Sequence, residues 1–483
     1  MLFNSIDFSV FLPIVFVLYW FITNNNLKLQ NLLLVTVSYI FYGWWDWRFL
    51  SLILFSTIID YLIGQRLNIE TNQDKRKLLL SASIIVNLGF LGFFKYYNFF
   101  LDNFINAFSF FGFSINSNSL NIILPVGISF YTFQTLSYTI DVYKRNLKPT
   151  DDFIAFSAFV SFFPQLVAGP IERATNLLPQ FYKKRVFNYN RAVDGLRQIL
   201  WGLFKKIVIA DGCAQFANEI FNNSVDYNGS TLFLGALFFA FQIYGDFSGY
   251  SDIAIGTSRL FGFSLKQNFA FPYFSRDIAE FWRRWHISLS TWFRDYLYIP
   301  LGGSRGGTWM KIRNTFIIFI VSGFWHGANW TFIVWGALNA IYFLPLLLAN
   351  KNRSHLGTVA EGKYLPTSKE IMSMLGTFLL TVVAWVFFRA ENITHAMSYL
   401  NEIFSLSFFQ APYFRDGTLA LPTLGFLMLF LVIEWMGREN QYALEYFAFK
   451  TKRPIRIISY YLIIISIIWG AGRTGGDFIY FQF

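Results

Sequence analysis

The sequence predicts an all-α polytopic membrane protein, and three observations support this fold class. Of the 483 residues, 55% are hydrophobic and only 14% are charged, whereas a soluble chain carries about 25% charged residues. Nine apolar runs have about the length that a helix needs to cross a bilayer. Aromatic residues make up 21% of the chain, which suits helices packed in lipid with Trp and Tyr near the interfaces.

The apolar runs are spread over the whole chain. They lie near 5–23, 30–45, 48–64, 78–96, 120–141, 232–255, 372–389, 420–437 and 456–470. Further segments near 97–115, 153–169 and 193–220 carry Pro, Gly or charge, which predicts short, tilted or re-entrant helices. We therefore expect about 10–12 transmembrane helices in one integral-membrane domain, 1–483. Its parts are N-terminal helices (1–119), a core that carries the sequence motifs (120–350) and C-terminal helices (351–483).

The orientation follows from the basic loops. The first run, in MLFNSIDFSVFLPIVFVLYWFI, lacks a basic n-region and a small-residue cleavage site, so it reads as a membrane helix and not as a removable signal peptide. Short basic loops stay cytoplasmic. This places the N-terminus outside and the following loops inside: Gln65–Lys77, Tyr143–Lys148, Lys183–Arg191 and Lys450–Arg456.

The composition disfavours nucleic-acid binding and any site built from several cysteines. The net charge is +11, but its Lys and Arg residues fall in these short loops, so topology explains them better than nucleic-acid binding does. Cys213 is the only cysteine, which excludes an intrachain disulfide and a thiolate metal site. No metal site is expected.

His326 is the first candidate functional residue, because ionisable groups inside membrane segments are rare and usually functional. It lies in the apolar stretch 312–348, whose 37 residues would form a helix of about 55 Å against a hydrocarbon core of about 30 Å. The stretch must break, and Gly323, Gly327 and Asn329 are the predicted break points. Irregular backbone at membrane depth requires cover by protein or water, so we expect His326 to line an interior funnel.

His286 is the second candidate, in the segment 274–300. A helix over 280–295 would be strongly amphipathic, with His286 at the border of its two faces and Ile287 as the apolar exception on the polar face. The apolar arc holds Phe281, Trp282, Trp285, Leu289, Trp292 and Phe293; the polar arc holds Glu280, Arg283, Arg284, Ser290, Thr291 and Arg294. Two interpretations stay open: an interfacial helix with Arg side chains on lipid phosphates, or the lining of a cavity entrance.

Polar residues elsewhere in apolar sequence suggest an interior polar path. GDFSGYSD (245–252) contains Asp246 and Asp252, and FPQLVAGPIER (163–173) joins two prolines to Glu172 and Arg173. Each segment is either a packed structural turn or part of a proton or ion pathway. The Gly-rich loop 301–307 lacks the spacing of a nucleotide-phosphate loop, and the connector 351–370 is predicted to be hydrophilic, with a solvated His355.

Seven ordered segments carry a family resemblance. They are LPVGISFYTFQTLSYTIDVYK (124–144), FPQLVAGPIER (163–173), GLFKKIVIAD (202–211), GDFSGYSDIAIG (245–256), FWRRWHISLSTWFRDYLYIPLGG (281–303), GFWHGANWTFIVWGALNA (323–340) and FIYFQF (478–483). With them the chain resembles the membrane-bound O-acyltransferase family, in its bacterial alginate O-acetyltransferase-like branch. The resemblance implies helices arranged around a central tunnel.

The resemblance also implies the site residues. His326 matches the catalytic histidine of the family, and His286 matches its second functional histidine. A neutral imidazole, with an ordinary pKa of about 6.5, suits the activation of a hydroxyl and typically contributes 10²–10⁴-fold as a base. The residues themselves, apart from the resemblance, suggest supporting or tunnel-lining roles for Trp325, Asn329, Trp330, Arg283, Ser290, Asp246 and Asp252. Because Asn329 and Trp330 follow His326 closely in the sequence, either is expected to orient the imidazole or donate to the oxyanion.

The implied function is transfer of acetyl from cytosolic acetyl-CoA across the bacterial inner membrane to an extracytoplasmic polysaccharide. No bound cofactor is implied. The chain has no GxSxG motif of its own, and the resemblance implies a separate extracytoplasmic serine-hydrolase-like partner. Alternatives within the family are D-alanyl transfer to teichoic acid and acylation of lipid or protein. A secondary transporter is a further alternative, disfavoured because only one broken segment is evident, near 323–329.

Overall fold

The computed structural model describes residues 1–110, 120, 122–414, 417–447 and 451–471, and all regular structure in these ranges is helical. The C-terminal motif 478–483 lies outside the described residues, as do parts of the segments near 97–115 and 120–141. Helices α1–α9 are Ile6–Val17, Leu27–Asp46, Leu50–Ile69, Gln73–Leu91, Tyr97–Phe110, Ile128–Tyr143, Phe153–Ser161, Phe163–Leu166 and Ala174–Leu177.

Helices α10–α20 follow. They are Tyr189–Leu203, Asp211–Asn222, Gly229–Leu260, Ile278–Arg284, Ile287–Phe293, Gly307–His326, Trp330–Leu348, Ser368–Arg389, Ile393–Ile403, Gly417–Gly437 and Arg453–Ala471. Four wider π-helical segments continue or join α-helices, at Leu18–Ile22, Gly92–Tyr96, Phe204–Ala210 and Arg294–Tyr298. Short 3₁₀ turns lie at Trp47–Phe49, Leu178–Tyr182, Ser224–Asp226, Pro272–Phe274 and Leu406–Phe409.

The helices confirm a multi-pass membrane protein. Seven helical stretches among the described residues are long and apolar enough to cross a membrane. One of them, Leu27–Ile69, contains both α2 and α3, each of 20 residues. Each of the nine predicted runs overlaps a helix. The total of 10–12 crossings stays a prediction.

The chain forms two compact units, one of residues 1–192 with 258–265 and one of 193–257 with 266–483. In the first unit, α3, α4 and α6 surround the buried carboxylate of Asp60, which accepts hydrogen bonds from Ser83, Asn87 and Thr139. All the predicted site residues lie in the second unit. The predicted division of one domain at residues 119 and 350 stays a prediction.

The α15–α16 hairpin confirms the predicted break in the stretch 312–348. His326 is the last residue of α15, and Asn329 caps α16, its Oδ1 accepting from the backbone N of Thr331 at 3.0 Å. Gly323 is not a break point, because it lies inside α15, where the two helices approach closely. A Cβ added at Gly323 would lie 2.2 Å from the carbonyl oxygen of Phe332, and one at Gly336 would lie 2.3 Å from that of Phe319.

The close approach gives a stability test of the hairpin. Gly336→Ala should destabilise the protein by about 1–3 kcal/mol, because the added methyl overpacks the α15–α16 contact. The matched control is Gly425→Ala in α19, where the added Cβ has no neighbour within 4 Å among the described residues; higher helix propensity should leave it neutral or slightly stabilised. Thermal unfolding in detergent measures both, and equal unfolding temperatures would contradict the packing described.

Candidate active site

The predicted helix 280–295 is wrong as one continuous element. The structure has two short helices, α13 and α14, separated at Trp285 and His286, and His286 adopts the left-handed conformation (φ 44°, ψ 54°). The preceding loop stabilises this bend by hydrogen bonds to the backbone: Ala270 N donates to Arg284 O at 3.0 Å, and Ile287 N donates to Asn268 O at 2.9 Å. The hydrophobic periodicity of the sequence does not reveal such tertiary hydrogen bonds.

The polar arc of this segment is largely engaged within the protein. Glu280 is buried and forms ion pairs with Arg276 and Arg284, each at 3.0 Å. Arg283 donates to the carbonyl oxygens of Asn352 and His355, both at 2.7 Å. These contacts favour the interior interpretation of the arginines over an arrangement on lipid phosphates.

His286 is enclosed, with 1% of its surface exposed. Its Nδ1 lies 3.2 Å from Asn268 Oδ1, and its ring meets that of Phe247 edge-on at 4.6 Å between centroids. Nε2 has no hydrogen-bond partner within the described part of the chain. Burial lowers the pKa of His286 to about 3, so the imidazole is neutral at physiological pH.

His326 is also buried, at 4% exposure, in an aromatic surround. Its ring centroid lies 4.9 Å from Trp325, 5.2 Å from Trp335 and 5.3 Å from Phe388. The Trp325 ring lies 6.1 Å from His286 as well. The two imidazole centroids are therefore at most about 11 Å apart, the sum of their distances to Trp325.

A cavity of about 530 Å³ lies against one face of α15, the helix that ends at His326. Its α15 lining includes Lys311, Thr315, Ile318 and Ser322, a spacing of three and four residues that marks one helix face. His326 is the next position on this face.

Trp282 also lines the cavity, and Trp335 lies 5.7 Å from Trp282 and 5.2 Å from His326. Trp335 thus contacts both the cavity-lining Trp282 and the imidazole. His326 is not among the described residues that line this cavity, so its predicted place in the lining of an interior funnel stays a prediction.

The other end of this α15 cavity is basic. Its lining includes the side chains of Arg283, Arg294, Lys311 and Arg353, and no Asp or Glu is among the described residues that line it. Arg294 is paired with the neighbouring Asp295 at 2.7 Å. Arg283 and Ser290, both predicted for the interior path, lie in this lining. The cavity therefore combines a cationic opening with an apolar and aromatic interior.

The connector between α16 and α17, residues 349–367, forms part of the cavity wall. Asn350, Asn352, Arg353 and Leu356 line the cavity. Arg276 and Arg284 both donate to Gly357 O, at 2.8 and 3.0 Å. His355, predicted to be a solvated loop residue, has a side chain that is 39% exposed. Its Nε2 lies 3.8 Å from Asp277 Oδ2.

Asp246 and Asp252 form ion pairs with two lysines of the π-helical segment Phe204–Ala210. Lys206 Nζ lies 2.8 Å from Asp246 and 2.9 Å from Asp211. Lys205 Nζ lies 2.5 Å from Asp252, which also accepts from Gln198 at 2.8 Å. Neither aspartate is among the residues that line the α15 cavity. The structure gives both a role in joining α12 to this segment, and their predicted role in an interior path stays a prediction.

The residues that follow His326 have structural contacts of their own. Asn329 caps α16, and its Nδ2 donates to Glu391 O at 2.8 Å. Trp330 is 51% exposed. Trp325, in contrast, contacts both imidazole rings. The orienting or oxyanion-donating role expected of Asn329 or Trp330 stays a prediction.

Comparison with known proteins decides the family. A model of the membrane-bound O-acyltransferase family matches residues 146–388, a range that contains both buried histidines. The chain belongs to the membrane-bound O-acyltransferase family. As a member it is an O-acyltransferase enzyme, and the predicted all-α membrane fold is confirmed.

Several named relatives share most of the chain. The probable alginate O-acetylase of Pseudomonas aeruginosa is 40% identical over 91% of this chain and 82% of its own length. The peptidoglycan O-acetyltransferase of Helicobacter pylori is 38% identical over 84% of this chain and 80% of its own. The teichoic acid D-alanyltransferase of Bacillus subtilis is 27% identical over 57% of this chain and 71% of its own.

Three parts of this acyltransferase site were missed in the sequence. Asn268, the partner of His286, follows α12 in an unremarkable loop, and no pattern indicated it. The aromatic surround of His326 includes Phe388, which only tertiary structure brings near. Lys205 and Lys206 did carry a signal, since two adjacent lysines in an apolar run predict buried acidic partners.

The ion pairs of α12 give a second test. Lys205→Met alone should cost about 3–5 kcal/mol of stability, because it leaves the buried carboxylate of Asp252 without its cation, and the double variant Lys205→Met/Asp252→Asn should recover most of that loss. The exposed pair Lys77–Asp74 is the control, since Asp74→Asn should change stability by less than about 1 kcal/mol. A stable but inactive double variant would instead give this pair a direct part in the reaction.

Proposed function

We propose that this acyltransferase takes an acetyl group from acetyl-CoA and passes it across the membrane for O-acetylation of an extracytoplasmic polysaccharide, with His326 as the catalytic base. The observation that carries the proposal is the α15 cavity, which has a cationic opening and is lined by the face of α15 that carries the buried His326 one turn further on. The names of the relatives that act on alginate and peptidoglycan support acetyl as the group and a cell-envelope glycan as the acceptor.

The charge pattern supports the proposed orientation. Arg305 precedes α15, and Lys311 and Arg313 lie in its first two turns, so this end should be cytoplasmic by the rule for basic loops. The 20 residues of α15 span about 30 Å, which puts His326 near the opposite face of the membrane. The donor then enters at the basic opening and the acceptor approaches from outside. This topology, in the bacterial inner membrane, has the N-terminus outside.

The basic opening supports an anionic donor. Arg and Lys side chains bind phosphate by charge-assisted hydrogen bonds, and the phosphates of CoA would lie near Arg283, Lys311 and Arg353. The pantetheine arm would then follow the apolar face of α15 past Ser322. Entry of the thioester to His326 would require Trp335 to move, since its ring packs against both the cavity-lining Trp282 and the imidazole.

The proposed chemical step conserves atoms and charge. The imidazole of His326 takes the proton of an acceptor hydroxyl, and the resulting oxygen attacks the thioester carbonyl. The carbon–sulfur bond breaks, the new ester forms, and the thiolate of CoA takes up the proton. A serine-hydrolase-like partner outside the membrane would complete delivery to the polymer, as the resemblance of this branch implies.

A second candidate keeps the fold and changes the acyl group. The similarity to a teichoic acid D-alanyltransferase makes a D-alanyl donor on a carrier protein the alternative to acetyl-CoA. A transporter finds no support in the site, because Asp246 and Asp252, its proposed ion relay, are held in ion pairs with lysines.

The base is tested by His326→Ala in membranes supplied with labelled acetyl-CoA. Loss of the base should lower acetyl ester formation by about 10²–10⁴-fold. His395→Gln is the control, because His395 contacts Ser224 and lies away from the α15 cavity. Unchanged transfer by folded His326→Ala protein would rule out His326 as the base, and transfer of D-alanine but not acetyl by the wild type would favour the second candidate.

The donor site is tested by Lys311→Gln with Arg353→Gln. Each lost charge-assisted hydrogen bond to phosphate is worth about 1.5–3 kcal/mol, so KM for acetyl-CoA should rise at least about tenfold while kcat stays near that of the wild type. Lys148→Gln, in a loop of the other compact unit, should change neither constant. A KM that stays unchanged in both the Lys311→Gln and the Arg353→Gln variants would place the donor elsewhere.

A further inference from the structure

Asn268 is a fully buried amide that contacts three polar groups around His286. Its Oδ1 accepts from the backbone N of Ser288 at 3.2 Å and from Ser288 Oγ at 2.9 Å, and its Nδ2 donates to Ser251 Oγ at 3.2 Å. A backbone N–H can only donate, so the atom that faces it must be the amide oxygen. The orientation of the Asn268 side chain is therefore fixed by α14 and α12 and not by the imidazole.

This orientation decides which nitrogen of His286 carries the proton. Nδ1 lies 3.2 Å from the same Oδ1, which cannot donate, so the hydrogen of this contact must belong to Nδ1. A neutral imidazole has one N–H, and Nε2 is then left with its lone pair. We propose that Asn268 is a positioning residue that holds His286 as the Nδ1–H tautomer, so that Nε2 presents a proton acceptor to the reacting groups beside Trp325. The proposal rests on the proposed acyl transfer.

The other neighbours of the His286 ring are aromatic side chains or charged groups that are already paired, so the role of fixing its tautomer is assigned to Asn268. The elements packed on His286 contribute aromatic rings, from Phe247 on α12, Phe269 in the loop and Trp325 on α15. The charged side chains of α12 in this region, Asp246 and Asp252, are paired with Lys206 and Lys205.

The backbone reinforces the same contact. Ile287 N donates to the carbonyl oxygen of Asn268 at 2.9 Å, directly after the left-handed residue His286. Residues held in this conformation persist only where surrounding contacts determine them, and they cluster at active sites. Asn268 therefore fixes both the bend and the tautomer. This corresponds in role to the third group of a catalytic triad, which orients an imidazole without touching the substrate.

The tautomer is measurable by nitrogen NMR of the full chain in detergent, labelled with ¹⁵N-histidine. The sequence has four histidines, and His286→Gln assigns the signal. Wild-type His286 should show a protonated Nδ1 and an unprotonated Nε2 above pH 5. Asn268→Ala should convert it to a mixture of tautomers, and Asn268→Asp should raise its titration midpoint, because a carboxylate favours the imidazolium.

The control for a merely structural effect is Asn314→Ala. Asn314 is equally buried and donates to Leu301 O and Gly303 O at 3.2 and 3.0 Å, so its loss should lower stability without changing the tautomer of His286. Transfer assays give the functional consequence. Asn268→Ala should lower kcat about 10- to 100-fold, less than the loss of a base itself, with KM for the donor unchanged. Asn268→Asp should recover activity at high pH and show an acid limb displaced upward.

The outcomes separate this proposal from the one on which it rests. A wild-type protein that transfers acetyl but carries its proton on Nε2 of His286, or an Asn268→Ala variant with unchanged tautomer and kcat, overturns the role of Asn268. A wild-type protein with the expected tautomer but no acyl transfer to any acceptor refutes the proposed function instead.

Discussion

The return of the chain at residues 327–329 is the constraint on which the site depends. A helix that continued through this stretch would carry the residues after His326 beyond the hydrocarbon core, and Trp335 would lie far along the same helix instead of against the imidazole. Ending α15 at His326 and capping α16 with Asn329 brings Trp335 back against the imidazole. The close contacts at Gly323 and Gly336 hold the two helices near enough for this return.

A second set of contacts holds α12 in place and acts on the site from a distance. The ion pairs of Lys205 and Lys206 join α12 to a π-helical segment. From α12, Phe247 then contacts His286, and Ser251 accepts from Asn268. The charged residues of this region thus serve the imidazole indirectly. The polar sequence GDFSGYSD thus joins α12 to its neighbours and supports Asn268, and its predicted part in an interior path stays a prediction.

The sequence predicted those features that depend on length and hydrophobicity along the chain. Apolar runs located the helices, and the excess length of 312–348 predicted a break among Gly323, Gly327 and Asn329, of which the last two lie at the observed return. It did not predict the left-handed bend at His286, because hydrogen bonds with the loop that precedes α13 determine that bend. The cavity wall formed by residues 349–367 was missed for the same reason: its carbonyl groups accept from arginines that a hydrophilic composition does not reveal.

The α15 cavity is proposed to deliver a CoA thioester to the imidazoles beside Trp325. The most direct measurement is a cryo-electron microscopy structure with a thioether analogue of acetyl-CoA. Phosphate density is expected between Lys311 and Arg353, with the acetyl end displacing Trp335 and lying about 3 Å from an imidazole nitrogen of His326, within hydrogen-bond reach. Ligand density outside this cavity, or an acetyl end that leaves both histidines enclosed by their present aromatic neighbours, would contradict it.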